Sequence, residues 1–234
     1  MKTPDNLQLL PYTRIIDISQ PVEEATACFP GDTPFSRKIT CTYEDSKVIN
    51  LTALTMSPHV GTHADAPVHI KGSLANQGDI KAGNLALAPF IGPALVLDFA
   101  PTTEAITRVM VEEKLQAMHF AGEESELRLP GKILLKTQSS CNYKTFAQRY
   151  SYIAEDLAHY LASMSMELVG LDTPSVDDIN SKNLPTHQVL DQAAMVWLEN
   201  LDLSQVDGGL YFLLALPLKF MELEASPVRA VLLA

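Results

Sequence analysis

The six histidines of the 234-residue chain are unevenly spread. His59, His63 and His69 fall within eleven residues, in Ser57-Pro-His-Val-Gly-Thr-His-Ala-Asp-Ala-Pro-Val-His69, with Asp65 among them. Imidazole nitrogen and carboxylate oxygen are the usual donors for zinc and related divalent ions. The four-residue spacing of His59 and His63 is not a helical pair, because Pro58, Gly61 and Pro67 punctuate the segment and disfavour a helix. In an extended chain alternate side chains share a face. His59, His63, Asp65 and His69 are all odd-numbered, so an extended or gently looped segment aims all four at one pocket. The bland alternative is a polar loop whose imidazoles bond only to backbone; three in so short a stretch count against it.

Such a cluster leaves a divalent ion incompletely enclosed, so further donors must come from elsewhere in the chain. His187, after Leu184-Pro-Thr186, and Glu199, at the end of the apolar run Met195-Val-Trp-Leu198, are the best remote candidates. A carboxylate ending such a run must be solvated, paired or bound to a cation. Spacing alone leaves that choice open, and an exposed element end is the simpler account. His119 and His159 lie in helical patterns beside polar residues and read as surface groups. Asp32, in Pro30-Gly-Asp-Thr-Pro34, fits a turn, and Asp172 fits a turn or cap at a strand end. Cys28, Cys41 and Cys141 are odd in number and form no CxxC. They read as small buried apolar residues, not as a disulfide framework or a thiolate metal site. Neither G-x-S-x-G, G-x-G-x-x-G nor a Walker sequence occurs, so a serine nucleophile elbow and a nucleotide cofactor are unsupported.

The elements that must position these groups are short and punctuated by 15 prolines. Apolar runs at 94–99, 132–136 and 168–171 predict buried strands. Residues 14–18, 48–56, 195–198, 210–216 and 228–233 read as further strands. Apolar residues at helical spacing predict helices over 109–118 and 153–164, and Pro185 precedes a short helix over 186–192. Strands outnumber helices and the helices are interspersed. That pattern predicts an α/β fold: a single domain over residues 1–234, with a mixed β-sheet and flanking helices.

Composition narrows the partners. Seventeen Lys+Arg against 28 Asp+Glu give a formal charge of −11, which disfavours nucleic acid and an anionic membrane surface. Hydrophobic residues at 47% and charged residues at 19% exclude intrinsic disorder. No apolar run approaches the roughly 20 residues of a membrane-spanning helix. The first thirteen residues include Pro4 and Asp5 and lack the apolar core of a signal peptide, so a cytoplasmic location is expected.

The segment His59-Val-Gly-Thr-His-Ala-Asp-Ala-Pro-Val-His69 resembles the signature of the cyclase-like metal-dependent hydrolases. Within that family the chain is most similar to the bacterial kynurenine formamidase (arylformamidase) branch. Supporting stretches are Pro30-Gly-Asp-Thr-Pro34, Leu171-Asp-Thr-Pro-Ser-Val-Asp177, Glu199-Asn-Leu-Asp-Leu203, Leu216-Pro-Leu-Lys219 and Ala225-Ser-Pro-Val-Arg-Ala-Val231. The resemblance implies a swivelling β/β/α-type fold, a homodimer and two zinc ions per subunit, with manganese as an alternative. It maps the ligands onto His59, His63, Asp65, His187 and Glu199, with Asp65 and Glu199 suited to bridging. It makes His69 the general acid/base and puts Phe29, where this branch often shows Trp, beside the substrate. The implied reaction is hydrolysis of N-formyl-L-kynurenine to L-kynurenine and formate, in tryptophan catabolism, with a zinc-held hydroxide as nucleophile. A related hydrolase of cyclic amides such as isatin and a non-catalytic metal-binding member of the family are the rivals. A carboxylate-rich donor set with a spare His69 alongside favours an open, catalytic site over a closed structural one.

Overall fold

The apolar runs of the sequence become the middle of one sheet. In a computed structural model that describes residues 12–75, 80–119 and 129–234, the strands are β1 (Ile15–Asp17), β2 (Ser36–Cys41), β3 (Leu51–Thr55), β4 (His63–Asp65), β5 (Ile91–Asp98), β6 (Lys132–Lys136), β7 (Leu168–Leu171), β8 (Val196–Glu199), β9 (Gly209–Leu214), β10 (Ala225–Pro227) and β11 (Val231–Leu233). The helices are α1 (Tyr43–Ser46), α2 (Arg108–His119), α3 (Glu155–Ser163) and α4 (Pro185–Gln192). Nine strands form a sheet in the order β1-β11-β9-β5-β6-β7-β8-β4-β10, and β2 and β3 form a separate antiparallel ribbon. The central pairs β5–β6, β6–β7 and β7–β8 are parallel, and the flanking pairs are antiparallel. The expected mixed α/β sheet is present.

Side-chain alternation divides the core between the two faces. Leu95, Leu97, Ile133, Leu135, Val169 and Leu171 pack on one face with Val111 and Leu115 of α2 and Leu157 and Leu161 of α3. Ala94, Val96, Leu134 and Leu168 point the other way, toward Ile18, Phe90, Leu213 and Leu232. Both faces are covered, which is why the parallel strands read as unbroken apolar runs. Each fully buried Leu or Ile contributes roughly 1.5–3 kcal/mol.

The same alternation orients β8 and β4. Trp197 belongs to the helix-side core, while Leu198 and Ala64 belong to the opposite one. Glu199 therefore shares the face of Trp197, and His63 and Asp65 share the face opposite Ala64. The three groups project from the helix side of the sheet, near the edge that β10 closes.

Three strands fall outside the sequence expectation. The side chains of β2 are exposed or half-buried along its whole length, so no alternation marks it. β4 and β10 have three residues each, too few for a period to show. The β2–β3 ribbon carries apolar side chains in solvent: Ile39 is 55% and Leu54 65% exposed. The cysteines are free, as expected, but half-buried instead of buried. Among the described residues no helix is long and apolar enough to cross a membrane.

Candidate metal centre

Four of the site's side chains come from a segment that is extended over only three residues, β4. Gly61 takes φ +72°, and a Cβ there would lie 2.8 Å from Val22 Cγ2; only glycine adopts that turn without strain. On the other side Pro67 opens a single 3₁₀ turn, Pro67–His69. The odd-number parity thus accounts for His63 and Asp65, while His59 and His69 reach the same place through turns. Their rings converge: centroids lie 4.9 Å apart for His59 and His63, and 4.6 Å for His59 and His69.

The remote candidates join them. Glu199 is the direct cross-strand partner of His63 in the β4–β8 pair. His187 lies in the first turn of α4, which begins at Pro185, and proline pre-organises that position. The two carboxylates then divide their oxygens. Asp65 Oδ1 lies 3.0 Å from His59 Nδ1 and 3.4 Å from His63 Nε2. Asp65 Oδ2 lies 3.6 Å from His187 Nε2 and 3.9 Å from His69 Nε2. Glu199 Oε2 faces His63 Nε2 at 3.3 Å, and its Oε1 faces His187 Nε2 at 3.5 Å. Each carboxylate therefore spans two sides of the cluster: Asp65 lies between His59 with His63 and His187 with His69, and Glu199 lies between His63 and His187.

These donors fit divalent ions. His63 Nε2 and Asp65 Oδ1 are buried and have no hydrogen-bond partner among the described residues, a cost of roughly 1–3 kcal/mol for each such group. The N···O separations of 3.3–3.6 Å are long for hydrogen bonds. They match the ~3.4 Å between two ligand atoms each ~2.1 Å from a tetrahedral ion. His63 Nδ1 donates to the Gly61 carbonyl at 2.9 Å, which leaves Nε2 as the lone-pair nitrogen. His59, Asp65 and His69, and His63, Asp65 and Glu199, form two groups able to hold an ion.

Protons can take a cation's part among these groups. Burial opposes charge on His59, His63 and His187, but the facing carboxylates outweigh it and hold them at about 9, 10 and 10. Asp65 is held well below the usual carboxylate range, its burial outweighed by His187, His59 and His63. An entering ion displaces those protons. His69 differs: burial lowers it, so its ring is neutral at pH 7.

Comparison with known proteins identifies the family. The Cyclase family model matches residues 16–178. The chain belongs to the cyclase family. It is 38% identical over 217 residues to the kynurenine formamidase of Bacillus cytotoxicus, covering 93% of this chain and 96% of that one. It is 40% identical over 216 residues to the kynurenine formamidase of Paracidovorax citrulli, covering 92% and 94%. These relatives place it on the kynurenine formamidase branch of the family. A solved structure of a potential metal-dependent hydrolase with cyclase activity superposes with a TM-score of 0.73 at 25% identity, covering 94% of this chain and 98% of the other.

The cyclase-family centre opens into a cleft of about 570 Å³. Phe29, expected beside the substrate, lines it and is 42% exposed. Its ring meets Phe146 edge to face, centroids 5.2 Å apart. Asp32 and His159 take the places expected of them, whereas Asp172, expected as a turn or cap, is a buried tie between strand ends that also lines the cleft. Asp32 accepts the Thr33 N–H in a turn, and His159 is on the surface. The side chain of His119 lies outside the described residues. Asp172 ties β6 to β7 by accepting from Thr137 N–H, Thr137 Oγ1 and Gln138 N–H at 2.8, 2.6 and 2.9 Å.

Two supporting residues escaped the sequence reading. Trp197 donates its indole N–H to Asp65 Oδ2 at 3.1 Å; an apolar run hides such a donor. Asp177 Oδ2 lies 2.6 Å from His187 Nδ1 and also accepts the His187 backbone N–H at 3.0 Å, while Oδ1 takes that of Thr186 at 3.0 Å. With its oxygens so engaged, Asp177 accepts from His187 Nδ1 and turns Nε2 toward Asp65 and Glu199. Carboxylates behind metal-bound imidazoles typically contribute 10–100-fold to ion affinity. Asp177→Asn should therefore weaken metal retention by about that factor in a chelator competition while the circular dichroism spectrum stays unchanged. Unaltered retention would contradict the assignment.

Proposed function

We propose that the protein hydrolyses N-formyl-L-kynurenine to L-kynurenine and formate, with His59, His63, Asp65, His187 and Glu199 holding two zinc ions per subunit. One observation carries this reading. Two buried carboxylates divide their oxygens between two sets of imidazoles, beneath a cleft that also holds a neutral histidine and an aromatic pair. The names of the relatives support the substrate.

When bound, the ions supply an activated water and a Lewis-acidic contact for the formyl oxygen. The chain's own residues do the rest. Asp65 and Glu199 offset the positive charge. His69 Nε2, neutral at pH 7, takes the proton of the attacking water and returns it to the arylamine nitrogen as the C–N bond breaks. Without that proton the leaving group would be an anilide anion. Phe29 and Phe146 offer apolar surface to the aryl ring.

The reading extends to a cytoplasmic homodimer acting in tryptophan breakdown. The exposed apolar ribbon of β2 and β3 supports association, and three free thiols suit a reducing compartment.

Purified protein should be assayed metal-loaded, chelated and zinc-restored, with kynurenine followed by its absorbance. Turnover is expected in the first and third states and absent in the second. Activity that survives full chelation would remove the metal from the reaction. Turnover of isatin with none of the formamide would replace the substrate.

A further inference from the structure

The cleft carries one fixed positive charge. Among the residues that line it, Lys182 alone is a lysine or arginine. Lys182 is exposed at the cleft and has no ion pair or hydrogen bond among the described residues. Asp178, four residues earlier, lines the same space. Its Oδ1 accepts the backbone N–H and the side-chain amide of Asn180 at 2.8 and 3.1 Å. Its Oδ2 has no such partner among the described residues.

Both residues belong to the segment that fixes His187. Asp177 turns inward to hold that imidazole, and its neighbour Asp178 is presented to the cleft. Tyr150 lines the same cleft and is buried. Burial pushes that phenol up, and the carboxylates of Glu199 and Asp178 both push it further. The centre and the charged segment are thus within electrostatic reach of one side chain.

The geometry points to a subsite for an α-amino-acid head: Lys182 receives the carboxylate, Asp178 receives the ammonium, and Phe29 with Phe146 packs against the ring. The inference rests on the formamide reading for the scissile bond and adds the part of the molecule that is recognised. It gives the protein a preference for aryl formamides that carry a zwitterionic side chain over anilides and cyclic amides that lack one. Hydrogen bonds to charged partners make the preference about tenfold or more.

The test is calorimetric titration of the zinc-loaded protein with L-kynurenine and with 2-aminoacetophenone, which keeps the aryl ketone and lacks the head. The unmodified protein should bind L-kynurenine at least tenfold more tightly. Lys182→Met should lose about tenfold for L-kynurenine and nothing for 2-aminoacetophenone, which also reports that the variant is folded. Asp178→Asn should lose a similar factor for L-kynurenine but not for its des-amino analogue. Equal or absent binding of the two ligands by the unmodified protein overturns the subsite, and so does a preference that persists in Lys182→Met. Hydrolysis of N-formyl-L-kynurenine and N-(2-acetylphenyl)formamide, measured alongside, separates the two readings. A head preference in binding with no turnover of either formamide keeps the subsite and rejects the reaction. Turnover of both with no preference keeps the reaction and rejects the subsite.

Discussion

Replacing His69 with alanine lowers the rate of formamide hydrolysis by ~10²–10⁴ and leaves the ion content unchanged. The loss is confined to proton transfer because His69, although it stands with His59 and Asp65 in one group able to hold an ion, is the loosest member of the cluster. Its side chain is 30% exposed, and Nε2 stands 3.9 Å from Asp65 Oδ2, the longest separation in the group. The more deeply buried imidazoles are raised by their carboxylates, whereas His69 is lowered by burial. A ring that stays unprotonated at pH 7 can accept a proton, so the activity should fall as the pH drops through its depressed value. The alanine variant should lack that limb of the profile. Turnover and metal analysis of the same preparation check both statements. A variant with full turnover, or one that has lost its metal, would contradict the role.

The second large effect belongs to Asp65, which touches more of the site than any other residue. Its oxygens face His59, His63, His69 and His187 and accept from Trp197. Asp65→Ala is expected to retain less than one equivalent of zinc after dialysis and to lose measurable turnover. Breaking a buried charge network by removing one partner costs about 3–5 kcal/mol, so the alanine variant should also be less stable. Asp65→Asn keeps the size and one acceptor for the Trp197 indole, and it separates the two consequences: stability largely returns, and metal does not. Two full equivalents retained in either variant would show that Asp65 is no bridge.

The site was more legible than the scaffold around it. Three histidines and an aspartate in eleven residues announce themselves by type. The partners His187 and Glu199 were equivocal as residues, because a polar group ending an apolar run has several ordinary explanations. The resemblance, and then the β4–β8 register that sets Glu199 opposite His63, gave them their place. Apolar patterning legibly predicted the central strands, whose two buried faces leave long apolar runs. It could not reveal β4 or β10, since three residues show no period. Of the two paths open to the signature, extended or gently looped, the structure takes the looped one, with turns at Gly61 and Pro67 on either side of β4. Asp177 lay in plain view beside the strand end, but its partner is ten residues away through a loop that sequence spacing does not describe.

The centre's base and its walls are built from different material. Asp65, His63 and Glu199 hang from paired strands of the main sheet. Phe29, Phe146, Asp178 and Lys182 all lie between regular elements, where substitution and insertion are tolerated. Mutations can therefore accumulate around the opening without passing through an ion-free ancestor. Hydrolytic power is inherited as a unit, and the choice of amide is free to drift. A lineage built this way can change its diet one loop residue at a time.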